Sequence, residues 1–245
     1  MPLSNERLEE LEREYFDQLY YYLKSIEQRM MCGLASKNNI KDDWWAQFIR
    51  GAEKRQVSDF ARGAERIFYW LLTTLWTPNS SPIGSDMFFE AHNAFVHIDV
   101  KTANFKNTSD YLGKVAIGRN QTSYDADKTA TGLNTRVNPN LPQYYHRGTE
   151  KEKPCLTFTI QVIHDAKTLD IIAILLICVP NGQLYGVYGN RIVGGGKSKD
   201  ESMRYEYKNA PVFETIYGHP YRVKFLYFNE QRELLKQQIT TKVEL

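Results

Sequence analysis

Between Asp86 and Lys101 the chain reads DMFFEAHNAFVHIDVK, a stretch holding two carboxylates, Asp86 and Asp99, and an amine, Lys101, two residues beyond the second. Acids brought side by side in a partly buried place repel each other, which raises the pKa of one of them unless a cation sits between them. Carboxylate oxygens with room for water suit a hard ion such as Mg2+. An ion held there lowers the pKa of a bound water, holds a phosphate oxygen and stabilises the leaving group of an in-line displacement. Lys101 would orient or deprotonate that water, or offset charge on the pentavalent phosphorus. The set suits hydrolysis of a phosphodiester.

For these groups to meet, the stretch must fold as a β-hairpin. Asp86 to Ala91 and Ala94 to Lys101 favour strands, and His92 with Asn93 between them suits a tight two-residue turn. With Ala91 opposite Ala94, Glu90 faces Phe95, Phe88 faces His97 and Asp86 faces Asp99. Side chains alternate along a strand, so Met87, Phe89, Ala91, Ala94, Val96, Ile98 and Val100 make one wholly apolar face. The other face carries Asp86, Phe88, Glu90, Phe95, His97, Asp99 and Lys101. Glu90 would take the place of Asp86 if the register slipped. His97 reads as a plain polar strand residue, with support of the acids as the alternative.

A helix is expected over Ser58 to Trp76, because Phe60, Ala64, Ile67, Phe68, Leu71, Leu72, Leu75 and Trp76 fall at helical spacing before Pro78 stops it. Within it Glu65 lies one turn from Arg62. It is either half of a surface ion pair or a third carboxylate aimed at the hairpin. Upstream, Leu8, Leu11, Tyr15, Leu19, Tyr22, Leu23, Ile26 and Met30 indicate an amphipathic helix from Leu3 to about Met30. Its apolar side packs on its own core or on a second copy. A loop around Ser36 to Lys41 then leads to a shorter helix, Asp42 to Glu53, with Trp44 and Trp45 in core or interface.

Downstream, residues 104 to 150 are rich in Asn, Thr, Gly, Asp, Lys and Arg. The stretch is either a solvated excursion or a surface that grips a polyanion, with cations on phosphates and amides on base edges. Its DNA-facing candidates are Asn104, Lys106, Lys114, Arg119, Asn120, Gln121, Lys128 and Arg136, and Tyr111, Tyr124, Tyr144 and Tyr145 stack or pack. Strands follow at Leu156 to His164 and Asp170 to Val179, the second buried on both faces. Pro180, Asn181 and Gly182 suggest a hairpin into Gln183 to Tyr188. GNRIVGGGKSKDES then reads as a glycine-rich loop that matches no phosphate-binding motif. Strands at Met203 to Tyr207 and Tyr221 to Phe228 and a helix from Asn229 to about Thr241 complete the chain.

A length of 245 residues, 42% of them hydrophobic, fits one globular unit. With a net charge of only +2, any basic surface must come from local clustering. Cys32, Cys155 and Cys178 cannot pair completely and show no CxxC spacing, which fits a reducing, cytoplasmic setting. No apolar run is long enough to cross a bilayer, so no membrane partner is expected. No serine or cysteine has a credible histidine and acid set for nucleophilic catalysis.

The stretch from Pro82 to Lys101, in which Asp86 is followed after twelve residues by Asp99, Val100 and Lys101, resembles the PD-(D/E)xK motif of restriction-endonuclease-like nucleases. HIDVKT in particular is similar to the catalytic strand of type II restriction enzymes. One departure is that Pro82 does not abut Asp86, since Gly84 and Ser85 intervene. The segment Gln121 to Tyr124 is similar to the Gln-and-Tyr motif of the RecB-like branch but one residue short, and reads as a DNA-facing turn.

The resemblance implies an α/β (α+β) fold with a central mixed β-sheet flanked by helices and a long polar insertion. It implies Asp86 and Asp99 as Mg2+ ligands, the main-chain carbonyl of Val100 as a further ligand, Lys101 as the catalytic lysine and Glu65 as the helix carboxylate that some members use. The function it implies is that of a type II restriction endonuclease acting on double-stranded DNA as a homodimer. The alternatives are a repair or junction-resolving nuclease with the same core and a catalytically silent DNA-binding module. One domain, 1–245, would then comprise an N-terminal helical part and candidate dimer contact (1–55), the helix and catalytic hairpin (56–101), a DNA-contacting excursion (102–155) and the remaining strands with a C-terminal helix (156–245).

Overall fold

The N-terminal apolar stripe forms two helices rather than one. In the computed structural model, which describes residues 2–39, 56–79, 84–133, 136–198, 201–207 and 222–230, α1 spans Asn5–Ser25 and α2 spans Glu27–Asn39. The Ser4 side chain accepts from Arg7 N at the start of α1, and the helix breaks at Ile26, whose φ of -115° and ψ of 22° leave the helical region. α2 continues through part of the segment expected as a loop. Its Ser36 hydroxyl donates to the Gly33 carbonyl, so a loop-favouring residue is satisfied inside the helix. The next helix, α3, spans Gln56–Leu72 and stops short of Trp76. There the Thr73 and Thr74 hydroxyls donate to the carbonyls of Trp70 and Leu71 and compete with the helical ladder.

Twelve strands are described: β1 Thr77–Pro78, β2 Met87–Glu90, β3 Phe95–Asn104, β4 Lys114–Gly118, β5 Ala126–Asp127, β6 Arg136–Val137, β7 Tyr144–Tyr145, β8 Lys153–His164, β9 Ile171–Val179, β10 Val193–Gly195, β11 Ser202–Glu206 and β12 Val223–Phe228. Seven of them make the central sheet, in the order β1-β2-β3-β8-β9-β12 with β7 joined to β8. β3 and β8 run parallel and the other pairs antiparallel, so the sheet is mixed. The hairpin has the register expected from its sequence: Met87 opposes Ile98, Phe88 opposes His97, Phe89 opposes Val96 and Glu90 opposes Phe95. Ala91 N donates to Ala94 O at 2.9 Å, which closes the turn over His92 and Asn93.

Helices cover one face of this sheet. α1 packs over β8, β9 and β12, and α3 packs against β3. Phe16 of α1 meets Phe158 of β8 at 6.4 Å between ring centroids, and Trp76 meets Phe89 of β2 at 5.8 Å. The apolar stripe of α1, including Leu8, Leu11, Phe16, Leu19 and Leu23, is thereby buried in the chain's own core. A contact with a second copy through α1 would have to use its other side.

The opposite face of the sheet is covered by the polar stretch after β3, which is a built layer and not a solvated excursion. β4 joins β10 and β11 in a small antiparallel sheet, and β5 pairs with β6. Tyr111, Val115, Ile117, Tyr124, Ala126, Val137, Leu141 and Tyr144 are all buried. The tyrosines pack instead of stacking on a ligand: Tyr111 donates to Phe105 O and Tyr124 to Gly189 O. Polar composition hid this layer because its apolar residues come singly, each fixed by a distant partner.

Two further expectations are corrected. Residues 183–188 form a 3-10 turn, Gly182–Leu184, and one α-helical turn, Tyr185–Tyr188, where a strand was expected. The Asn181 side chain caps that turn by accepting from Gln183 N, and its amide also donates to Gln143 O and Cys155 O. The glycine-rich segment contains β10, whose Val193, Gly194 and Gly195 pair antiparallel with Tyr205, Arg204 and Met203 of β11. The expected helix from Asp42 to Glu53 with Trp44 and Trp45, the C-terminal helix beyond Glu230, and Pro82 lie outside the described residues. Among the described residues no helix is long and apolar enough to cross a membrane, and the three cysteines are free.

Candidate active site

The acids converge because β2 is shorter than β3. β2 begins at Met87, so β3 runs on past Ile98 without a ladder partner on that side. What ends β2 is a turn: Gly84 has φ of 77°, and the Ser85 hydroxyl donates to Met87 O. A Cβ on Gly84 would sit 1.9 Å from the Asn120 carbonyl oxygen, so only glycine fits. Gly84 and Ser85, two of the three residues that separate Pro82 from Asp86 in the motif, are thus part of the geometry that aims Asp86.

Asp86 reaches into the gap left by β2, and its Oδ2 accepts from Val100 N at 2.7 Å. The N–H and C=O of a strand residue point to the same edge, so the Val100 carbonyl opens toward Asp86 as well. Asp99 is 1% exposed on the other side of Val100 in sequence. Its Oδ1 accepts from Gln121 Nε2 at 2.6 Å, while Lys101 Nζ lies 2.7 Å from its Oδ2. That second oxygen is buried and, despite the ion pair, makes no aligned hydrogen bond among the described residues.

Charge in this corner is incompletely balanced. Burial pushes the Asp99 carboxyl up to about 6; Lys101 opposes the shift, and Asp86 and Glu65 add to it. Glu65 on α3 is half-buried and is likewise raised, by desolvation first and then by the charge of Asp86, with Lys101 opposing. Glu65, Asp86, Asp99 and Lys101 therefore lie within electrostatic reach of one another.

The oxygen donors at hand are Asp86, Asp99 and the Val100 carbonyl. Among the described residues no three His, Cys, Asp or Glu side chains converge on one ion position. Two carboxylates, a main-chain oxygen and water are the sparse oxygen coordination that Mg2+ accepts, because it keeps several of its waters. The buried, unaligned Asp99 Oδ2 is the observation that fits a cation to this set.

Other candidates fall in different places. His97 is buried and held at both ring nitrogens, by the Ser85 hydroxyl at 3.0 Å and the Tyr145 hydroxyl at 2.8 Å, and it stacks on Phe88. It braces the turn that carries Asp86. Glu90 lies at the far end of the hairpin, exposed and paired with Lys153, so it does not replace Asp86. Lys106, Arg119, Asn120 and Arg136 are exposed; Arg119 donates to Asn140 Oδ1, and Asn120 accepts from the Asn140 amide. Lys114 and Lys128 are half-buried, and Asn104 accepts from Lys106 N in its own loop. Gln121 faces inward onto Asp99 and is not the DNA-facing turn expected of it.

Sequence reasoning missed the floor of the site. Thr157, Thr159 and Gln161 on β8 stand beside His97, Asp99 and Lys101 in the parallel register. All three are buried, and among the described residues the Thr159 hydroxyl has no hydrogen-bond partner. The alternation in TFTIQ was the available signal, since polar residues recur at every second place of an otherwise apolar strand.

The chain was compared with known proteins. Residues 5–168 match the family model described as type II restriction enzyme MwoI, N-terminal domain, and residues 171–228 match that of its central domain. No curated protein matches by sequence. A crystal structure of the restriction endonuclease BglI bound to its DNA recognition sequence is similar with a TM-score of 0.66 at 16% identity, over 88% of this chain and 89% of that one. A crystal structure of the tetrameric restriction endonuclease SfiI bound to cognate DNA is similar with a TM-score of 0.67 at 14% identity, over 95% of this chain and 88% of that one.

Proposed function

The chain belongs to the family of the type II restriction enzyme MwoI, and from that membership we propose how this type II restriction endonuclease cuts. Asp86, Asp99 and the Val100 carbonyl would hold Mg2+, and Lys101 would act on the attacking water. The observation that carries the reading is the meeting of Asp86, Asp99 and Lys101 where β3 outruns β2. When bound, the ion supplies Lewis-acid polarisation of the scissile phosphate and a counter-charge for the two carboxylates. Lys101 orients or deprotonates the water in line with the leaving oxygen and offsets charge that builds on phosphorus. Glu65 adds negative charge beside Asp86 and favours cation binding there. The substrate is double-stranded DNA, gripped through exposed cations such as Lys106, Arg119 and Arg136. The active form is a homodimer, since two-fold symmetric duplex sites call for two copies of the centre, and the setting is cytoplasmic.

The test is incubation of the purified protein with plasmid DNA in Mg2+ and then in EDTA. Discrete, reproducible fragments that need Mg2+ are expected. Structure-selective nicking, or tight binding without cleavage, would overturn the reading.

A further inference from the structure

We propose that Gln121 is a positioning residue for cleavage: it fixes the Asp99 carboxylate and ties it to the small sheet formed by β4, β10 and β11. The inference rests on the reading of Asp99 given above. Both ends of the Gln121 amide are engaged, Nε2 donating to Asp99 Oδ1 at 2.6 Å and Oε1 accepting from Gly118 N at 2.8 Å. Two bonds of opposite sense lock the amide against a flip. One Asp99 oxygen is thereby oriented, and the other is left toward Lys101 and the gap beyond β2.

The residue type suits the task. A lysine in this place would form an ion pair with Asp99 and compete with a cation for it. A glutamate would add a further negative charge. A neutral amide orients the carboxylate and leaves its charge for the metal.

The same short turn reaches the other acid. Arg119–Gln121 is a 3-10 turn, and its Asn120 carbonyl packs so closely on Gly84, two residues before Asp86, that no Cβ fits. The turn follows β4 directly: Gly118 opposes Ser202 of β11, and Arg119 N donates to Glu201 O at 2.9 Å. One turn therefore touches Asp99, backs the segment that aims Asp86, and is anchored in the small sheet. A displacement of that sheet would reach both carboxylates through Gln121 and Asn120.

The experiment compares wild type, Gln121→Met, Gln121→Glu and Asp99→Asn on a plasmid that the wild type cuts. Gln121→Met keeps the volume and removes both bonds; Gln121→Glu keeps the acceptor for Gly118 N and loses the donor to Asp99. Both are expected to lower kcat by about 10–100-fold, with KM for plasmid and the thermal midpoint close to wild type. Both are also expected to shrink the rise in thermal midpoint that Mg2+ gives the DNA-free protein. If Gln121 only closed its own turn, Gln121→Glu would cleave like wild type, and that result would overturn the proposal. So would losses in both variants that appear in KM and thermal midpoint alone. Wild-type cleavage by Asp99→Asn would instead remove the site reading itself, while a dead Asp99→Asn beside fully active Gln121 variants would remove the positioning role alone.

Discussion

Two groupings of two acids and one cation, one in the core and one on β3, are built differently. In the core, Arg222 lies among Glu9 and Glu12 of α1, all of them fully buried. Its Nη2 is 2.7 Å from Glu12 Oε2 and 3.2 Å from Glu9 Oε1, and the Tyr188 hydroxyl, the Cys178 sulfur and Asn181 N complete the cluster. Where β3 outruns β2, Lys101 pairs with Asp99, its side chain stays 28% exposed, and Asp86 turns to a backbone amide. A guanidinium fork spans several acceptors, whereas an ammonium is a point charge. The first trio is closed and holds α1 to the strand edge at β12. The second has oxygens left to give.

If the trios differ in this way, they must fail differently. The largest effect is expected at the open one: Lys101→Ala or Asp99→Asn lowers cleavage by on the order of 10³-fold or more, and Asp99→Asn loses no thermal stability. Cleavage rates and calorimetry on the same preparations check this. At the closed trio Arg222→Met strands two buried carboxylates and costs about 3–5 kcal/mol of stability, read by denaturant unfolding. An active, wild-type-stable Arg222→Met would erase the distinction.

Between these lies the turn that aims Asp86. Gly84→Ala meets both a φ of 77° and the Asn120 carbonyl, whereas Gly132→Ala meets a φ of 76° with nothing within 4 Å. Gly132→Ala should cost only the backbone strain, about 1 kcal/mol. Gly84→Ala should cost more in stability, and cleavage should fall further than stability does, as paired unfolding and cleavage assays would show.

The last effect is in pH. Asp99 titrates at about 6 in the fold, above its unfolded value, so it binds its proton more tightly when folded. Stability from this group is fully present below the unfolded pKa and is lost as pH rises from about 4 through 6. The loss amounts to about 3 kcal/mol at most. Without metal, Asp99→Asn should therefore gain on wild type across that window. A constant difference between the two from pH 4 to 7 would contradict the burial-driven shift.

The open trio was legible in the sequence because it is local. A period of two and a two-residue turn fix the register from Met87 to Ile98 and so bring the acids near each other; the turn at Gly84 and Ser85, which sets Asp86 on the Val100 amide instead of opposite Asp99, has no such local signal. The closed trio was not legible. Glu9 and Glu12 are acids of an amphipathic helix, yet they lie inside because Arg222, far along the chain, receives them. Gln121 was read as facing DNA because its composition is polar and its partner, Asp99, lies across a layer that short-range patterns do not reveal. The central sheet followed from its apolar runs; the small sheet did not, since its strands alternate with intermediate exposure and are held by neighbours distant in sequence.

The most direct measurement is the thermal midpoint of the DNA-free protein as a function of Mg2+, for wild type and for the double variant Asp86→Asn/Asp99→Asn. An ion that binds only the folded state raises the midpoint by mass action. The expected result is a rise in wild type that saturates with Mg2+ and is absent from the double variant. Equal rises in both proteins, or no rise in wild type, would contradict a cation site at Asp86 and Asp99.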